Sequence, residues 1–358
     1  MTASRALPSC DLLVLADPVW ETTWRVEAIP EDRDRFDPER QALDEVEDGG
    51  GSALNVACAL AAAGWRVVTA GMVGADEAGR AAIEALRRHG VDARIERAAG
   101  RRTKQVEVFV ERRSGANAFR AVIPDHAAPP WDGSCPEIGG ARWLLLDRPG
   151  ARGIERLRGR RSDGVRSPGS GRENALLLNG PIHRPQAEER WRTALPLLSY
   201  LQIPETDQRD GPLSDEPEGS AGRVGGGGAG AGTGASAGAS AMLGPATIHR
   251  PSAWPPLGER EIEEILSSGL AILARTRGAR GAIVHQAGTR AAIEVPSRLG
   301  KGELVDPTGA GDAFAAGFLD VRLRGGPVEQ AAATASDWAA RACRHLGARA
   351  WLQGEPPR

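Results

Sequence analysis

Short apolar runs alternate along the chain with stretches of helical periodicity, a rhythm typical of α/β proteins. Runs that suit strands buried on both faces of a parallel sheet occur at 12–16, 65–70, 143–146, 175–178, 201–203 and 282–285. Helical spacing is found in the stretches that end at Gly64, Gly90 and Gly325, and at 186–200, 259–273 and 327–345. This order predicts a doubly wound, mostly parallel sheet sandwiched by helices.

A second kind of β-structure is indicated between residues 104 and 123. Val106, Val108 and Val110 alternate with polar residues, and a Ser-Gly-Ala-Asn turn then leads into an apolar stretch that starts at Phe119. This pattern predicts a β-hairpin with one apolar face. The residues from Trp24 to Glu47 are charged and alternate only weakly, so the pattern alone predicts no element there.

Composition and charge narrow the class of protein. A chain of 358 residues can form one large α/β domain or two smaller ones, and its hydrophobic share of 41% is ordinary for a globular protein. The net charge of −2 provides no basic field, so we expect no nucleic-acid partner. No apolar run approaches the ~20 residues of a membrane helix, and the run at 12–16 is too short for a signal peptide. We therefore expect no membrane partner and a cytoplasmic location.

The four cysteines bear on the cellular compartment, and two stretches of biased composition are predicted insertions. Cys10, Cys58, Cys135 and Cys343 are scattered without the spacing of a zinc site, which favours buried thiols in a reducing compartment. Residues 150–172 are rich in Arg, Gly and Ser and are predicted to be an exposed insertion. Residues 211–244 are rich in Gly and Ala and are predicted to be disordered, because they contain too little apolar surface to pack.

The chemistry is concentrated in a glycine turn that leads into a helix near the C-terminal end. Gly309 and Gly311 allow a sharp bend, and the unpaired N–H groups of the following helix form an anion site that suits phosphate. Asp312 beside that anion can accept a proton from an attacking hydroxyl group. The alternative is that Asp312 is an ordinary helix cap.

A second glycine turn precedes the first predicted helix. Asn55 lies at the opening of this helix, where its amide can donate to and accept from a polyol; as an alternative, it caps the helix. Asp17 ends the first strand at the carboxyl edge of the sheet, where open α/β folds bind ligands.

These two stretches resemble the signatures of the ribokinase-like (PfkB) family of carbohydrate and nucleoside kinases. Asp306 and Thr308–Asp312 resemble its C-terminal signature, and Gly50, Gly51 and Asn55 its N-terminal one. The resemblance implies one kinase domain over 10–350, with a small β lid formed by about 22–48 and 101–123. It also implies phosphorylation of a sugar or nucleoside-like hydroxyl by ATP, with Mg²⁺ and a monovalent cation as cofactors and a homodimer formed through the lid.

The resemblance also implies roles for individual residues. Asp312 is the expected base, and the amides of Gly309, Ala310 and Gly311 stabilise the transferred phosphoryl group. Acceptor contacts are implied for Glu21, with Asp17 as the alternative, and for Gly51 and Asn55. Nucleotide contacts are implied for Thr276, Gly278, Gly281, Thr308 and Ser336, although Ser336 also suits a plain helix surface. Metal or cation contacts are implied for Asp306, Glu205 and Asp207.

One segment departs from the family pattern. Where the family carries Asn-x-x-Glu, this chain has Pro204 and Asp207. This change favours a second hypothesis, a catalytically impaired sugar-binding or regulatory protein on the same fold, whereas the presence of Asp312 opposes it. A dehydrogenase is disfavoured because no glycine fingerprint follows the first strand.

Overall fold

The structure, a computed structural model, describes residues 10–30, 36–124, 126–127, 141–147, 175–178, 195, 198–205 and 257–353. Its strands are β1 (Cys10–Leu15), β2 (Val19–Val26), β3 (Ala42–Gly50), β4 (Val67–Gly74), β5 (Asp92–Ala98), β6 (Gln105–Glu111), β7 (Asn117–Val122), β8 (Ala141–Asp147), β9 (Ala175–Leu178), β10 (Tyr200–Pro204), β11 (Ile272–Thr276), β12 (Ala282–Gln286) and β13 (Ile293–Val295). Its helices are α1 (Pro38–Gln41), α2 (Ser52–Ala62), α3 (Glu77–Arg88), α4 (Glu259–Ser267), α5 (Ala310–Leu323) and α6 (Val328–Ala342).

The large sheet of the described residues has the order β13-β12-β11-β10-β9-β8-β1-β4-β5. Along this order, neighbouring strands between β11 and β5 pair in parallel, whereas β12 and β13 form an antiparallel edge. From β1 the chain passes first to β4 and β5 on one side and later to β8 on the other. The switch point of a doubly wound sheet therefore lies between β1 and β8, where ligands bind at the carboxyl edge. The predicted α/β fold is confirmed.

The apolar run of β1 packs on both faces of this sheet. Leu12 and Val14 belong to the core beneath α2, α5 and α6, whereas Leu13 belongs to the core on the α4 side. Because alternate residues of a strand point to opposite faces, burial on both sides requires a continuous apolar run. Helix α5 is buried from Asp312 to Val321, so the predicted site helix lies inside the protein and not on its surface.

A smaller sheet of order β3-β2-β6-β7 stands beside the large one. One of its faces carries Val108 and Val110, which pack with Leu346 near the C-terminal end of the chain. Trp24 and Phe109 form a separate cluster with Phe36. The strands arise from the segments predicted to form the lid, and β6 and β7 form the predicted hairpin. Their action as a lid stays a prediction.

Several elements differ from the predictions, among them the helix predicted over 186–200, whose last residue, Tyr200, instead begins β10. The helix predicted over 259–273 is wrong in its second half, because α4 ends at Ser267 and Ile272 begins β11. Gly269, with φ 112°, turns the chain between them. Strand β5 was missed because its outward residues are charged and it lies at the edge of the sheet. The predicted insertions at 150–172 and 211–244, most of the helix at 186–200, and Cys135 lie outside the described residues.

The other three cysteines lie among the described residues, and the helices there can be compared with the length of a membrane span. Cys10, Cys58 and Cys343 are buried free thiols, and burial raises the pKa of Cys58 and of Cys343 to about 11. Within the described ranges, no helix has both the length and the apolar character needed to cross a bilayer.

Asp76, which lies between β4 of the large sheet and α3, is bonded to the segment that leads into β6 of the small sheet. Its Oδ1 caps α3 by accepting from the Gly79 amide at 3.0 Å, and Oδ2 accepts from the Thr103 amide at 2.9 Å. Thr103 lies two residues before β6, so this carboxylate ties the start of α3 to the segment that leads into β6.

We expect Asp76→Ala to lower the free energy of unfolding by about 1–2 kcal/mol, because the helix cap, the bond from the Thr103 amide and the 2.6 Å bond from the Thr103 hydroxyl group are lost. Urea denaturation measures the change. The control is Glu77→Ala, which removes an exposed carboxylate beside it and should change stability by no more than about 0.5 kcal/mol. Equal effects of the two substitutions would contradict the predicted role.

Candidate active site

The two signature stretches meet at the first turn of α5. The chain enters this helix through Gly309, whose φ of 76° is left-handed, and Asp312 is the third helical residue. Asn55, from the first turn of α2, donates from Nδ2 to Asp312 Oδ2 at 2.7 Å although 257 residues separate the two. Both residues are buried. The fold thus brings the predicted base and a predicted acceptor contact into direct contact.

A third residue, Arg349, joins this pair and was not predicted. Its Nε donates to Asn55 Oδ1 at 2.8 Å, so Arg349, Asn55 and Asp312 form one buried chain of hydrogen bonds. Arg349 is only 2% exposed. In the sequence it follows Leu-Gly-Ala after the last helix, where an arginine looks like an ordinary surface charge, so no motif identified it.

The glycine turn is held in place from two sides. A Cβ on Gly309 would stand 2.8 Å from the Ala348 side chain, so the turn lies directly on the segment that carries Arg349. Gln202 donates to the Gly311 carbonyl at 2.7 Å. The Ala310 amide donates to Pro307 at 3.1 Å, whereas the Gly311 amide has no backbone acceptor among the described residues. The Gly309 amide likewise has no backbone acceptor among the described residues, so of the three predicted amides those of Gly309 and Gly311 are placed to serve an anion.

Asp306 shapes the loop before this turn. Its Oδ1 accepts from the Thr308 amide at 2.7 Å and its Oδ2 from the Gly347 amide at 2.8 Å. Burial raises the pKa of Asp306, and these hydrogen bonds oppose the shift. Thr308 accepts from Asn117 of β7 at 3.0 Å. Asp306 thus ties the loop to the C-terminal segment, and Thr308 ties it to the small sheet; their cation and nucleotide roles stay predictions.

The predicted acceptor residues lie around the glycines at the end of β3. The carboxyl group of Glu21 lies against Gly50, where a Cβ would be 3.0 Å from Glu21 Oε2. Gly51, with φ 111°, opens α2, and its carbonyl accepts from the Asn55 amide at 2.9 Å. Asp17 accepts from the Met72 amide at 2.8 Å, so part of its carboxylate holds β4 in place.

A cavity of about 310 Å³ opens beside these residues, a size suited to a small molecule. It lies between the small sheet, the end of α3 and residues 347–353. The cavity wall includes Glu21, Thr23, Asp48, His89 and Arg349. Asp312 and Asn55 are not part of this wall, but Arg349 is, and it connects the cavity to them.

Three of the predicted nucleotide residues, Thr276, Gly278 and Gly281, lie at the β11–β12 connection. Gly281, with φ 83°, approaches β13 so closely that a Cβ would lie 2.0 Å from the Val295 carbonyl oxygen. Gly278 also has a positive φ, of 55°. Thr276 donates to the Ile203 carbonyl at 3.4 Å. Ser336 is buried and donates to the Pro296 carbonyl at 2.7 Å, so it is not on a bare helix surface.

Glu205, a predicted metal residue, lies in a buried ion pair. Its Oε1 accepts from Arg275 Nη2 and from the Leu257 amide, the latter at 3.0 Å. His285 is beside this pair, with Nε2 3.3 Å from Arg275 Nη1, and burial together with the Arg275 charge lowers its pKa. The described part of the chain contains no group of three His, Cys, Asp or Glu side chains that could hold a metal ion. Asp207 lies outside the described residues.

Glu21 is predicted to titrate near neutral pH. Its removal from water raises its pKa from the usual 4.5 to about 7; Arg349 opposes this shift, and Asp306, Asp312 and Asp48 add to it. A carboxyl group with a raised pKa in the folded state stabilises the fold fully below pH 4.5, and this stability is lost as the pH rises to about 7. The advantage of Glu21→Gln over wild type in the free energy of unfolding should therefore grow from pH 5 to 7 and then level off. Urea denaturation across this range measures it, and a flat difference would contradict it.

Comparisons with known proteins agree with the two signatures. The family described as "pfkB family carbohydrate kinase" matches residues 19–134 and 257–353. A stretch of 104 residues is 36% identical to 2-dehydro-3-deoxygluconokinase of Dickeya dadantii (strain 3937), covering 28% of this chain and 33% of that protein. A stretch of 62 residues is 42% identical to cytidine kinase of Thermococcus kodakarensis, covering 17% and 22%. The chain thus matches a third or less of the length of these relatives.

Solved structures match over nearly the whole chain. Arabidopsis thaliana ribokinase, complexed with ribose and ATP, superposes with a TM-score of 0.62 at 18% identity, covering 98% of this chain and 96% of that one. Adenosine kinase from Sinorhizobium meliloti superposes with a TM-score of 0.63 at 17% identity, covering 95% and 96%. At such identities the likeness establishes the fold alone.

Proposed function

Because the chain belongs to the pfkB family of carbohydrate kinases, we propose that it transfers the γ-phosphoryl group of ATP to a hydroxyl group of a sugar or nucleoside-like small molecule. The observation that carries this proposal is the 2.7 Å hydrogen bond from Asn55 to Asp312 at the first turn of α5. This bond brings together the Asp312 carboxylate, the side-chain amide of Asn55, which is a predicted contact of the acceptor substrate, and the N-terminus of α5. A proton acceptor and an anion site side by side are what transfer from phosphate to alcohol requires.

In the proposed reaction Asp312 accepts the proton of the acceptor hydroxyl. The hydroxyl oxygen forms a bond to the γ-phosphorus, the bond from that phosphorus to the β–γ bridging oxygen breaks, and ADP leaves. The Gly311 amide and the α5 dipole stabilise the negative charge on the transferred group. One well-placed amide of this kind typically contributes about 3 kcal/mol to the transition state.

The acceptor substrate is held on the side of Asp312 that faces Asn55, away from the glycine turn that holds the phosphoryl group. Asn55 offers its amide to a hydroxyl group, and Glu21 and Gly51 bound the adjacent space, with Asp17 as the alternative to Glu21. The small sheet covers this space and excludes the water that would otherwise hydrolyse ATP.

The nucleotide is assigned to the β11–β12 connection, with Thr276, Gly278, Gly281, Thr308 and Ser336 as its expected contacts. The described residues do not fit a protein-built magnesium site, because Glu205 Oε1 is occupied by Arg275 and Leu257 and both Asp306 oxygens accept amides. The proposed reaction therefore has no step on a metal, and the metal roles of Asp306, Glu205 and Asp207 stay predictions.

One observation favours the second candidate, a sugar-binding protein without turnover. The ion pair of Glu205 with Arg275 occupies the carboxylate that follows the altered Pro204 position. A chain that has lost this part of the family pattern would still keep the acceptor residues and the cavity.

Purified protein with MgATP and a panel of sugars, sugar acids and nucleosides distinguishes these candidates through ADP release. Release of ADP that depends on one acceptor supports the kinase. Binding of an acceptor by calorimetry, with no release of ADP above the acceptor-free rate, supports the binding protein instead.

A further inference from the structure

The buried guanidinium group of Arg349 has more hydrogen-bond donors than the described protein satisfies. Nε donates to Asn55, whereas Nη1 and Nη2 are buried and have no partner within the described residues. Unpaired buried donors are costly and rare in native proteins, more so when they carry charge. Two such nitrogens on one 2%-exposed side chain indicate that a ligand completes the site.

The nearby carboxylates do not serve as that partner. No ion pair joins Arg349 to an acidic residue of the described chain. Asp48 lies 3.4 Å from Arg88 and 3.8 Å from His89, and it accepts from the Gly49 amide. Asp306 accepts two amides, and Asp312 accepts from Asn55. Each of these acids thus has hydrogen-bond donors of its own.

The position of Arg349 connects the ligand space to the chemistry. It lines the 310 Å³ cavity together with Glu21, and its Nε holds the amide that reaches Asp312. Gly49 of β3 lies over Nη1, since a Cβ there would be 3.0 Å away. The small sheet must therefore separate from residues 347–350 before a ligand reaches these nitrogens, and its return would enclose that ligand.

We propose that the acceptor substrate carries a carboxylate group and that Arg349 binds this carboxylate through Nη1 and Nη2. The guanidinium fork matches a carboxylate with two parallel hydrogen bonds, which is the partner that best satisfies two adjacent unpaired nitrogens. This inference rests on the proposed function, because it names the class of the acceptor, a sugar acid. Arg349 then both selects the acceptor and keeps Asn55 oriented toward the base.

The cavity wall carries two arginines, Arg88 and Arg349, beside the acidic residues Glu21, Glu47 and Asp48. Arg88 lies beside Asp48, which reduces the negative charge that an incoming carboxylate meets. Glu21 has a pKa of about 7, raised mainly by burial, so it takes up a proton readily when a second carboxylate approaches. The protonated Glu21 is then a hydrogen-bond donor and not a repelling charge.

The test compares aldonates with the alditols of the same configuration, which differ at one terminal carbon: D-gluconate with D-glucitol, D-galactonate with D-galactitol, and D-ribonate with D-ribitol. Calorimetry on the full chain without ATP measures binding independently of turnover. We expect at least one aldonate to bind about 10- to 100-fold more tightly than its alditol, since charge-assisted hydrogen bonds are the strong ones. In Arg349→Met this preference should disappear, and in Arg349→Lys it should return in part.

The control is Arg344→Met, which removes a partly exposed arginine paired with Glu303 on the same segment and should keep the preference. If every aldonate binds no better than its alditol, or if Arg349→Met keeps the preference, the inference is wrong. Should Arg349→Met fail to fold, the wild-type comparison and Arg349→Lys still decide. Release of ADP with neutral sugars only would refute the carboxylate while supporting the kinase. A carboxylate preference without ADP release with any acceptor would refute the kinase alone.

Discussion

Asp312→Asn is expected to lower acceptor-dependent ADP release by about 10²- to 10⁴-fold, the usual contribution of a general base. The substitution keeps the size of the side chain, and its amide oxygen can still accept from Asn55, which now lies 2.7 Å from Asp312 Oδ2. What it removes is the ability to take a proton from the attacking hydroxyl group. The loss should therefore appear in kcat, with little change in the KM for ATP.

The matched control for this experiment is Asp337→Asn. Asp337 lies on α6 with its side chain 59% exposed and its Oδ1 3.6 Å from Arg298 Nε, so its loss should leave turnover within about twofold. Thermal unfolding of both variants checks that they fold. Wild-type turnover by Asp312→Asn would remove Asp312 as the base, since no other chemistry is assigned to it.

Arg275→Met is expected to lower the free energy of unfolding by about 3–5 kcal/mol, because it leaves the Glu205 carboxylate buried and without its cation. Glu205 is 3% exposed and Arg275 7% exposed, so water cannot solvate either charge when its partner is removed. The methionine fills most of the space of the arginine stem, so the effect comes from the charge and not from a cavity. Urea denaturation at neutral pH measures the loss.

Two further variants separate this effect from a general loss of an arginine. Arg260→Met breaks an ion pair with Glu264, in which the side chain of Arg260 is 90% exposed and that of Glu264 is 62% exposed. It should change stability by no more than about 0.5 kcal/mol. Adding Glu205→Gln to Arg275→Met removes the unpaired charge and keeps an oxygen for the Leu257 amide. The double variant should therefore be more stable than Arg275→Met alone, and equal or lower stability would contradict the explanation.

Much of the fold was predictable because burial on both faces of a sheet leaves a clear trace in the sequence. The apolar run of β1, the helix that ends before Gly64 and the turn at Gly309 all depend on local patterns, and the structure has them where these patterns lie. Strand β11 was hidden because Leu270 and Leu273 continue the apolar spacing of the preceding helix. Strands β2 and β3 were hidden because they carry many charged residues and belong to a sheet that is only partly covered.

By itself, the sequence determined the alternation of strands and helices and the chemistry of the two glycine turns, since both follow from side-chain period and backbone freedom over a few residues. Only the tertiary structure decided that Asn55 contacts Asp312 across 257 positions, and that Glu205 is held by Arg275. It also decided that Arg349 is buried with two nitrogens that no described residue pairs. Contacts between distant residues depend on how helices pack on the sheet, and the environment of a charge depends on every segment that surrounds it. No local pattern records either.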